Sequence, residues 1–176
     1  MSNTVVLVGA LDTKGQEYAF VRDLIAGEGL ETLVVDFGVM GKPAFTPDIS
    51  REEVAAAAGA DLGYLSSGEH KDEAMEAMAA GLAVVVRRLY DEGRLQGILG
   101  MGGSGGTSIA TRAMRELPVG VPKIMVSTVG GGDVSAYAGS TDITFMPSIV
   151  DVAGINSISR RIYANAAGAI AGAVKG

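Results

Sequence analysis

The stretch Gly97-Ile-Leu-Gly-Met-Gly-Gly-Ser-Gly-Gly-Thr-Ser108 places a short apolar run directly before a cluster of glycine and hydroxyl residues. Apolar residues then recur at helical spacing from Ile109 to Met114, so the stretch predicts a strand, a glycine-rich loop and a helix in succession. Consecutive glycines allow a backbone to approach a ligand and to direct its N–H groups inward. The helix dipole adds partial positive charge at the same point, so the loop predicts an anion-binding site.

The candidate phosphate contacts in this loop are the glycine backbone and the neighbouring hydroxyl groups, namely Gly102, Gly103, Ser104, Gly105, Gly106, Thr107 and Ser108. An ordinary turn with a serine or threonine cap is the alternative, but such a turn needs fewer glycines. The loop contains the pattern Gly-x-Gly-x-x-Gly, yet the next strand ends in Ser127 and Thr128 instead of an acid, which disfavours NAD or FAD. No lysine follows the glycines as in a Walker P-loop.

A second loop of this kind, Gly9-Ala-Leu-Asp-Thr-Lys-Gly15, follows the apolar run Thr4 to Val8. Thr13 and Gln16 have the spacing of a capping box, which predicts a helix start there. Lys14 at that start predicts a contact to a β- or γ-phosphate, and Asp12 is a candidate ligand for Mg²⁺. The alternative is that Asp12 or Thr13 only caps the helix while Lys14 is solvated.

A third loop runs from Thr128 to Asp133 after the predicted strand Lys123 to Ser127. Its candidate ligand contacts are Thr128, Gly130, Gly131, Gly132 and Asp133. On a parallel sheet, loops that follow strands gather at one edge, so the three loops are expected to converge.

Several other polar residues are weaker candidates. Asp36 ends the predicted strand Thr32 to Val35, where an acid can bind a ribose, although a solvated strand-end aspartate is the alternative. His70 is interpreted as a polar residue in the first turn of a helix, without a catalytic role. Around the start of the last helix, arginines could clamp phosphate or form ion pairs at a subunit contact; this polar set is Asp151, Asn156, Arg160 and Arg161.

The alternation of strands and helices along residues 1–176 predicts a single α/β domain. We expect a doubly wound, Rossmann-like, three-layer fold with a five-stranded, mainly parallel sheet. The fifth strand is predicted at Ile143 to Met146, and further helices at about 50–58, 69–92 and 156–174. Residues 38–49 and 59–68 are predicted to be connections. The expected strand order is 2-1-3-4-5, with the ligand at the switch point between strands one and three.

Composition excludes several classes of function. Hydrophobic residues make up 48% of the chain and aromatic residues only 5%, which indicates an aliphatic core. The net charge of −6 argues against a nucleic-acid partner. The chain has no cysteine and one histidine, which excludes disulfides, thiolate chemistry and histidine-rich zinc sites, so no metal site is assigned. No signal peptide or membrane-spanning run is visible, so we expect a cytoplasmic protein that does not bind membranes.

Four motifs together resemble one family: Gly9-Ala-Leu-Asp-Thr-Lys-Gly15, Gly102-Gly-Ser-Gly-Gly-Thr107, Pro122-Lys-Ile-Met-Val-Ser-Thr128 and Asp151-Val-Ala-Gly-Ile-Asn156. It is the ATP-binding domain family that includes the tomato mosaic virus resistance protein, and the resemblance runs from about residue 4 to residue 174. It implies ATP as ligand, a Rossmann-like lobe that dimerises, and nucleotide contacts in the three loops. Family members are about twice this length, so the resemblance also implies a second α/β lobe.

Two functions are expected from these features. The first is an ATP-binding module, a dimerising lobe of a larger protein in which the nucleotide sets the assembly state. The alternative is an ATP-dependent enzyme for phosphoryl transfer or hydrolysis that needs a second lobe or a partner for its substrate. The sequence shows no general base, nucleophile or triad, which favours the module and leaves catalytic residues unassigned.

Overall fold

The computed structural model describes residues 3–150 and 154–176. In chain order the elements are β1 (Thr4–Gly9), α1 (Leu11–Gly27), β2 (Glu31–Asp36), α2 (Arg51–Ala57), α3 (Leu62–Leu65), α4 (Lys71–Asp91), β3 (Gly97–Gly102), α5 (Ser104–Met114), β4 (Lys123–Ser127), α6 (Ser135–Ala138), β5 (Thr144–Pro147) and α7 (Ser157–Lys175). None of these described helices is long and apolar enough to cross a membrane.

The five strands form one sheet in the order β2-β1-β3-β4-β5, and every neighbouring pair is parallel. The predicted fold class and strand order are therefore confirmed. Strands β1, β3 and β4 are buried on both faces, whereas the edge strand β2 is exposed at its first residue and the edge strand β5 is only partly covered. Such burial explains why β1, β3 and β4 are apolar runs without alternation.

Helices cover both faces of the sheet and make the three layers. Val6 and Val8 of β1 contribute to a core packed beneath α2, α4 and α5. Val5 and Leu7 point to the opposite face, where α1 and α7 pack. Side chains alternate between the faces of a strand, so the single apolar run of β1 supplies both cores.

The differences from the predicted elements lie at helix ends and in connections. The connection predicted at 59–68 contains the short helix α3, and α6 follows β4. The long helix begins at Lys71, two residues later than predicted, and His70 is its N-cap without a side-chain cap bond. The His70 ring instead stacks on Tyr64, with 4.0 Å between the ring centroids.

Candidate functional site

A cleft of about 300 Å³ opens at the carboxyl edge of the sheet, across the ends of β1 and β3. This is the switch point at which open α/β sheets bind ligands. Its walls are the first turn of α1, the segment 37–40 after β2, Met75 of α4, and the glycines at positions 102, 103, 105 and 106. The structure thus brings two of the three predicted loops together around one cleft.

The β3–α5 junction presents unpaired backbone donors. Strand β3 continues to Gly102 and the helix begins at Ser104, so most of the predicted loop is the first turn of α5. The first intrahelical bond runs from the Thr107 N–H to the Gly103 carbonyl at 2.9 Å. Among the described residues, the N–H groups of Ser104, Gly105 and Gly106 have no acceptor. Three donors at the positive end of a helix complement an anion.

The fold itself does not require glycine at this junction. Gly103, Gly105 and Gly106 do not have positive φ angles. A Cβ added there would meet its nearest protein atom at 3.8, 3.4 and 4.0 Å respectively. Alanine is also favoured over glycine inside a helix by roughly 0.5–1 kcal/mol. The space left by the absent side chains is therefore available to atoms of a ligand.

The three hydroxyl residues of the junction have different surroundings. Thr107 is buried, and its Oγ1 donates to the Gly103 carbonyl and accepts from the Ser127 hydroxyl, both at 2.6 Å. It therefore fixes the junction to the end of β4. Ser104 and Ser108 are exposed and lie outside the cleft lining.

The β1–α1 junction forms the opposite wall of the cleft. Helix α1 begins at Leu11 after Ala10, which makes no side-chain cap bond, so the predicted capping box of Thr13 and Gln16 is wrong. Lys14 interrupts the helix, with φ −124° and ψ 19°, and lines the cleft. In the described part of the chain, its ammonium group makes no ion pair, which leaves it available to an anion.

Asp12 fastens the segment after β2 to α1. Its Oδ2 accepts from the N–H groups of Met40 at 2.9 Å and Gly41 at 3.0 Å. Its Oδ1 is buried without a partner among the described residues. Across residues 3–150 and 154–176, no three His, Asp or Glu side chains lie close enough to hold a metal ion. Coordination of Mg²⁺ by Asp12 stays a prediction, with one oxygen uncommitted.

Asp36 is 1% exposed, so the alternative of a solvated aspartate is wrong. Its Oδ1 accepts from the N–H groups of Leu11 at 3.1 Å and Gly38 at 2.9 Å, while Oδ2 has no partner in the described ranges. Burial raises the pKa of Asp36, and the nearby Asp12 charge adds to the rise. The carboxyl group lies behind the cleft wall, and its contact to a ribose stays a prediction.

The third predicted loop closes on itself beside the cleft. The Gly130 N–H donates to the Ser127 carbonyl at the end of β4 and the Gly132 N–H to the Val129 carbonyl, both at 3.1 Å. The Asp133 carboxylate accepts from an N–H of the first turn of α6 at 3.0 Å. Thr128 extends towards the cleft, with Oγ1 3.8 Å from where a Cβ of Gly103 would lie.

Of the polar residues predicted around the start of α7, the three that the structure describes do not line the cleft. Asn156 caps α7 by accepting from two N–H groups of its first turn, each at 2.9 Å. The Arg160 guanidinium lies 5.4 Å from the centroid of the Phe20 ring, and Arg161 is exposed. Asp151 lies outside the described residues.

The apolar part of the cleft was not predicted from the sequence. Phe37, Val39 and Met40 follow β2, while Met75 belongs to α4 and Ile109 to α5. They meet only because the sheet brings these elements to one edge. One sequence signal was Met40, because it is a large apolar residue within a loop rich in glycine and proline. In the structure Met40 is 71% exposed.

The fold and the cleft define a class: a doubly wound α/β domain with a glycine-lined cleft at its switch point. Residues 3–176 match the model of the N-terminal domain of the uncharacterised protein family UPF0261. The chain belongs to this family.

Relatives are found in bacteria and in a plant. A UPF0261 protein of Clostridium tetani is 48% identical over 176 residues, which is all of this chain and 44% of the relative. The ToMV susceptible protein tm-1(GCR26) of Solanum lycopersicum is 32% identical over 190 residues, covering 99% of this chain and 25% of the relative. The chain therefore spans less than half the length of these relatives.

Solved structures show only distant likeness. A diflavin flavoprotein A3 from Nostoc sp. aligns with a TM-score of 0.49 and 10% identity, covering 99% of this chain and 95% of that one. DJ-1beta of Drosophila melanogaster gives a TM-score of 0.46 and 13% identity with the same coverage. A likeness at this level does not indicate a shared function. The fold class is defined by the strand order of the sheet.

Proposed function

We propose that this domain binds ATP, with Mg²⁺, and holds the polyphosphate against the first turn of α5. The observation that supports this most strongly is the coincidence of three unpaired N–H donors with glycines that the fold does not require. Backbone donors and a helix dipole bind phosphate without any net positive charge. A protein with net charge −6 is therefore compatible with a polyanionic ligand.

The opposite wall supplies charged groups suited to a nucleotide. Lys14 faces the same cleft and would contact a terminal phosphate. Asp12 also lines this cleft and would hold the Mg²⁺ ion bound to the phosphates, directly or through water. Thr128 would extend the phosphate contacts beyond Gly103.

The variant Gly103→Val tests this site. A valine side chain would fill the space proposed for a phosphate, while open surroundings at Gly103 leave the fold intact. We expect affinity for MgATP, measured by titration calorimetry, to fall at least tenfold, which corresponds to about 1.4 kcal/mol. The control is Gly168→Val on the exposed side of α7, where a Cβ would meet no atom within 4 Å. Equal affinities of Gly103→Val and wild type would contradict the proposal.

We further propose that the domain acts as a dimerising lobe of a larger protein in which ATP sets the assembly state. It spans 44% of its Clostridium tetani relative, which leaves length for a second lobe in proteins of that size. Native mass measurement with and without MgATP tests the assembly state. A change of mass without ATP turnover supports the module, whereas turnover that disappears in Lys14→Ala supports the enzyme.

A further inference from the structure

A second cavity of about 280 Å³ adjoins the glycine-lined cleft. The two share one wall, formed by Phe37, Val39, Met40, Met75 and Ile109. The second cavity extends from this wall between α3 and α4. The second cavity is therefore the immediate neighbour of a ligand held at the first turn of α5.

Met75 lies between the two cavities. Its Cε lies 3.4 Å from where a Cβ of Gly105 would be, so it touches the first turn of α5. The same side chain lines both cavities. A ligand whose anionic end meets the unpaired N–H groups of α5 would therefore lie against Met75 and next to the second cavity.

The second cavity is suited to a flat, weakly polar group. Beyond the shared wall it is lined by Leu65, Gly68, Lys71, Ala74 and Met78. Among the lining side chains only Lys71 carries a hydrogen-bonding group, and Lys71 is exposed. Three of the lining residues are methionines, whose thioethers adapt in shape and make favourable contacts with aromatic rings.

We infer that the purine base of the bound nucleotide occupies this second cavity. Burial and thioether contacts bind the base there, without hydrogen bonds from protein side chains to its edge. The inference rests on the proposed function. Strong discrimination between similar ligands requires buried polar groups that the wrong ligand leaves unpaired, and the lining side chains supply none. The domain therefore binds ATP and GTP with similar affinity and gains much of that affinity from the base.

Three probes test the inference in titration calorimetry of the chain: MgATP, MgGTP and magnesium tripolyphosphate. We expect the affinities for ATP and GTP to agree within about threefold. Tripolyphosphate carries three linked phosphates without the ribose and the base, and we expect it to bind at least tenfold more weakly.

The variant Ala74→Met fills the second cavity from α4. We expect it to lower the affinities for ATP and GTP at least tenfold and to leave the affinity for tripolyphosphate unchanged. The matched control is Ala77→Met, one turn further along α4, because Ala77 does not line this cavity. Met40→Ala gives a second test without disturbing the core, because Met40 is 71% exposed. It should weaken ATP severalfold without affecting tripolyphosphate.

The outcomes separate the two proposals. Tripolyphosphate binding as tightly as ATP, or a preference above tenfold for one purine, overturns the inference and leaves the phosphate site standing. Equal loss of all three probes in both Ala74→Met and Met40→Ala also overturns it. If none of the probes binds the wild-type chain, the proposed function itself fails.

Discussion

The β1–α1 and β3–α5 junctions look alike in sequence, but their glycines have different surroundings. A Cβ at Gly9 would collide with the Tyr18 ring, and one at Gly15 with the side chain of Ala44. At Gly103 and Gly106, by contrast, the nearest protein atoms would be 3.8 and 4.0 Å away. The first junction needs glycine for packing, whereas the second keeps open space.

The two junctions also differ in whether the protein supplies acceptors for their backbone N–H groups. In α1, the first N–H group is bonded to the buried Asp36 carboxylate. In α5, three N–H groups of the first turn have no acceptor in the part of the chain that the structure describes. The protein therefore supplies an acceptor for the first N–H group of α1, whereas the first turn of α5 leaves three donors for a ligand. Glycine content alone does not distinguish a packing site from a binding site.

The largest effect is expected where a glycine of the first junction is replaced. Gly9→Ala would displace Tyr18, whose hydroxyl group bonds the backbones of Val8 and Met101 and so links β1 to β3. We expect a loss of about 3 kcal/mol in the free energy of unfolding, from overpacking and disturbed buried hydrogen bonds. Urea denaturation measures it. A loss below about 1 kcal/mol would show that this junction is no more crowded than the other.

A smaller effect is expected from the carboxylate that caps the first junction. Asp36→Ala leaves the buried N–H groups of Leu11 and Gly38 without an acceptor, which should cost about 2 kcal/mol at pH 7. Asp36→Asn keeps an acceptor and should stay within about 1 kcal/mol of wild type. Urea denaturation of the two variants separates the lost acceptor from the lost charge.

The same carboxylate predicts a pH dependence. Burial raises the pKa of folded Asp36 above its ordinary value of 3.8. The folded state therefore binds the proton more tightly, and this contribution to stability is lost as the pH rises from 3.8 through the raised value. We expect Asp36→Asn to remove that part of the dependence of the unfolding free energy on pH. If the stability of wild type and that of Asp36→Asn depend on pH in the same way, the pKa of Asp36 is not raised in the folded state.

The smallest effect on stability is expected at the second junction, and it has the opposite sign. Gly106→Ala should stabilise the protein by roughly 0.5–1 kcal/mol, because Gly106 lies inside α5 and its surroundings are open. The same variant should weaken MgATP. Gly172→Ala on the exposed side of α7 should give a similar gain in stability with unchanged affinity. Destabilisation by Gly106→Ala in thermal unfolding would abolish the distinction between the junctions.

Much of the fold was predictable because its signals are local. The apolar runs and the glycines after them predicted the parallel sheet and the gathering of the loops at its carboxyl edge. The strand order was expected from the doubly wound architecture and not from particular residues, and the structure confirms it. The Thr13 and Gln16 spacing misled, because α1 begins at Leu11, where Asp36 from the neighbouring strand supplies the acceptor. A capping contact from a distant part of the chain leaves no spacing signal.

The amino-acid sequence alone determined the succession of strands and helices along the chain and the positions of glycines at strand ends. Both depend on hydrophobic periodicity and backbone freedom, which act over a few residues. Only the tertiary structure decided that Gly15 is crowded by Ala44 while Gly106 is open. It also brought Met40, Met75 and Ile109 to one wall of the cleft. Crowding and cavity shape depend on side chains that are far apart in the chain, and only folding sets which of them meet.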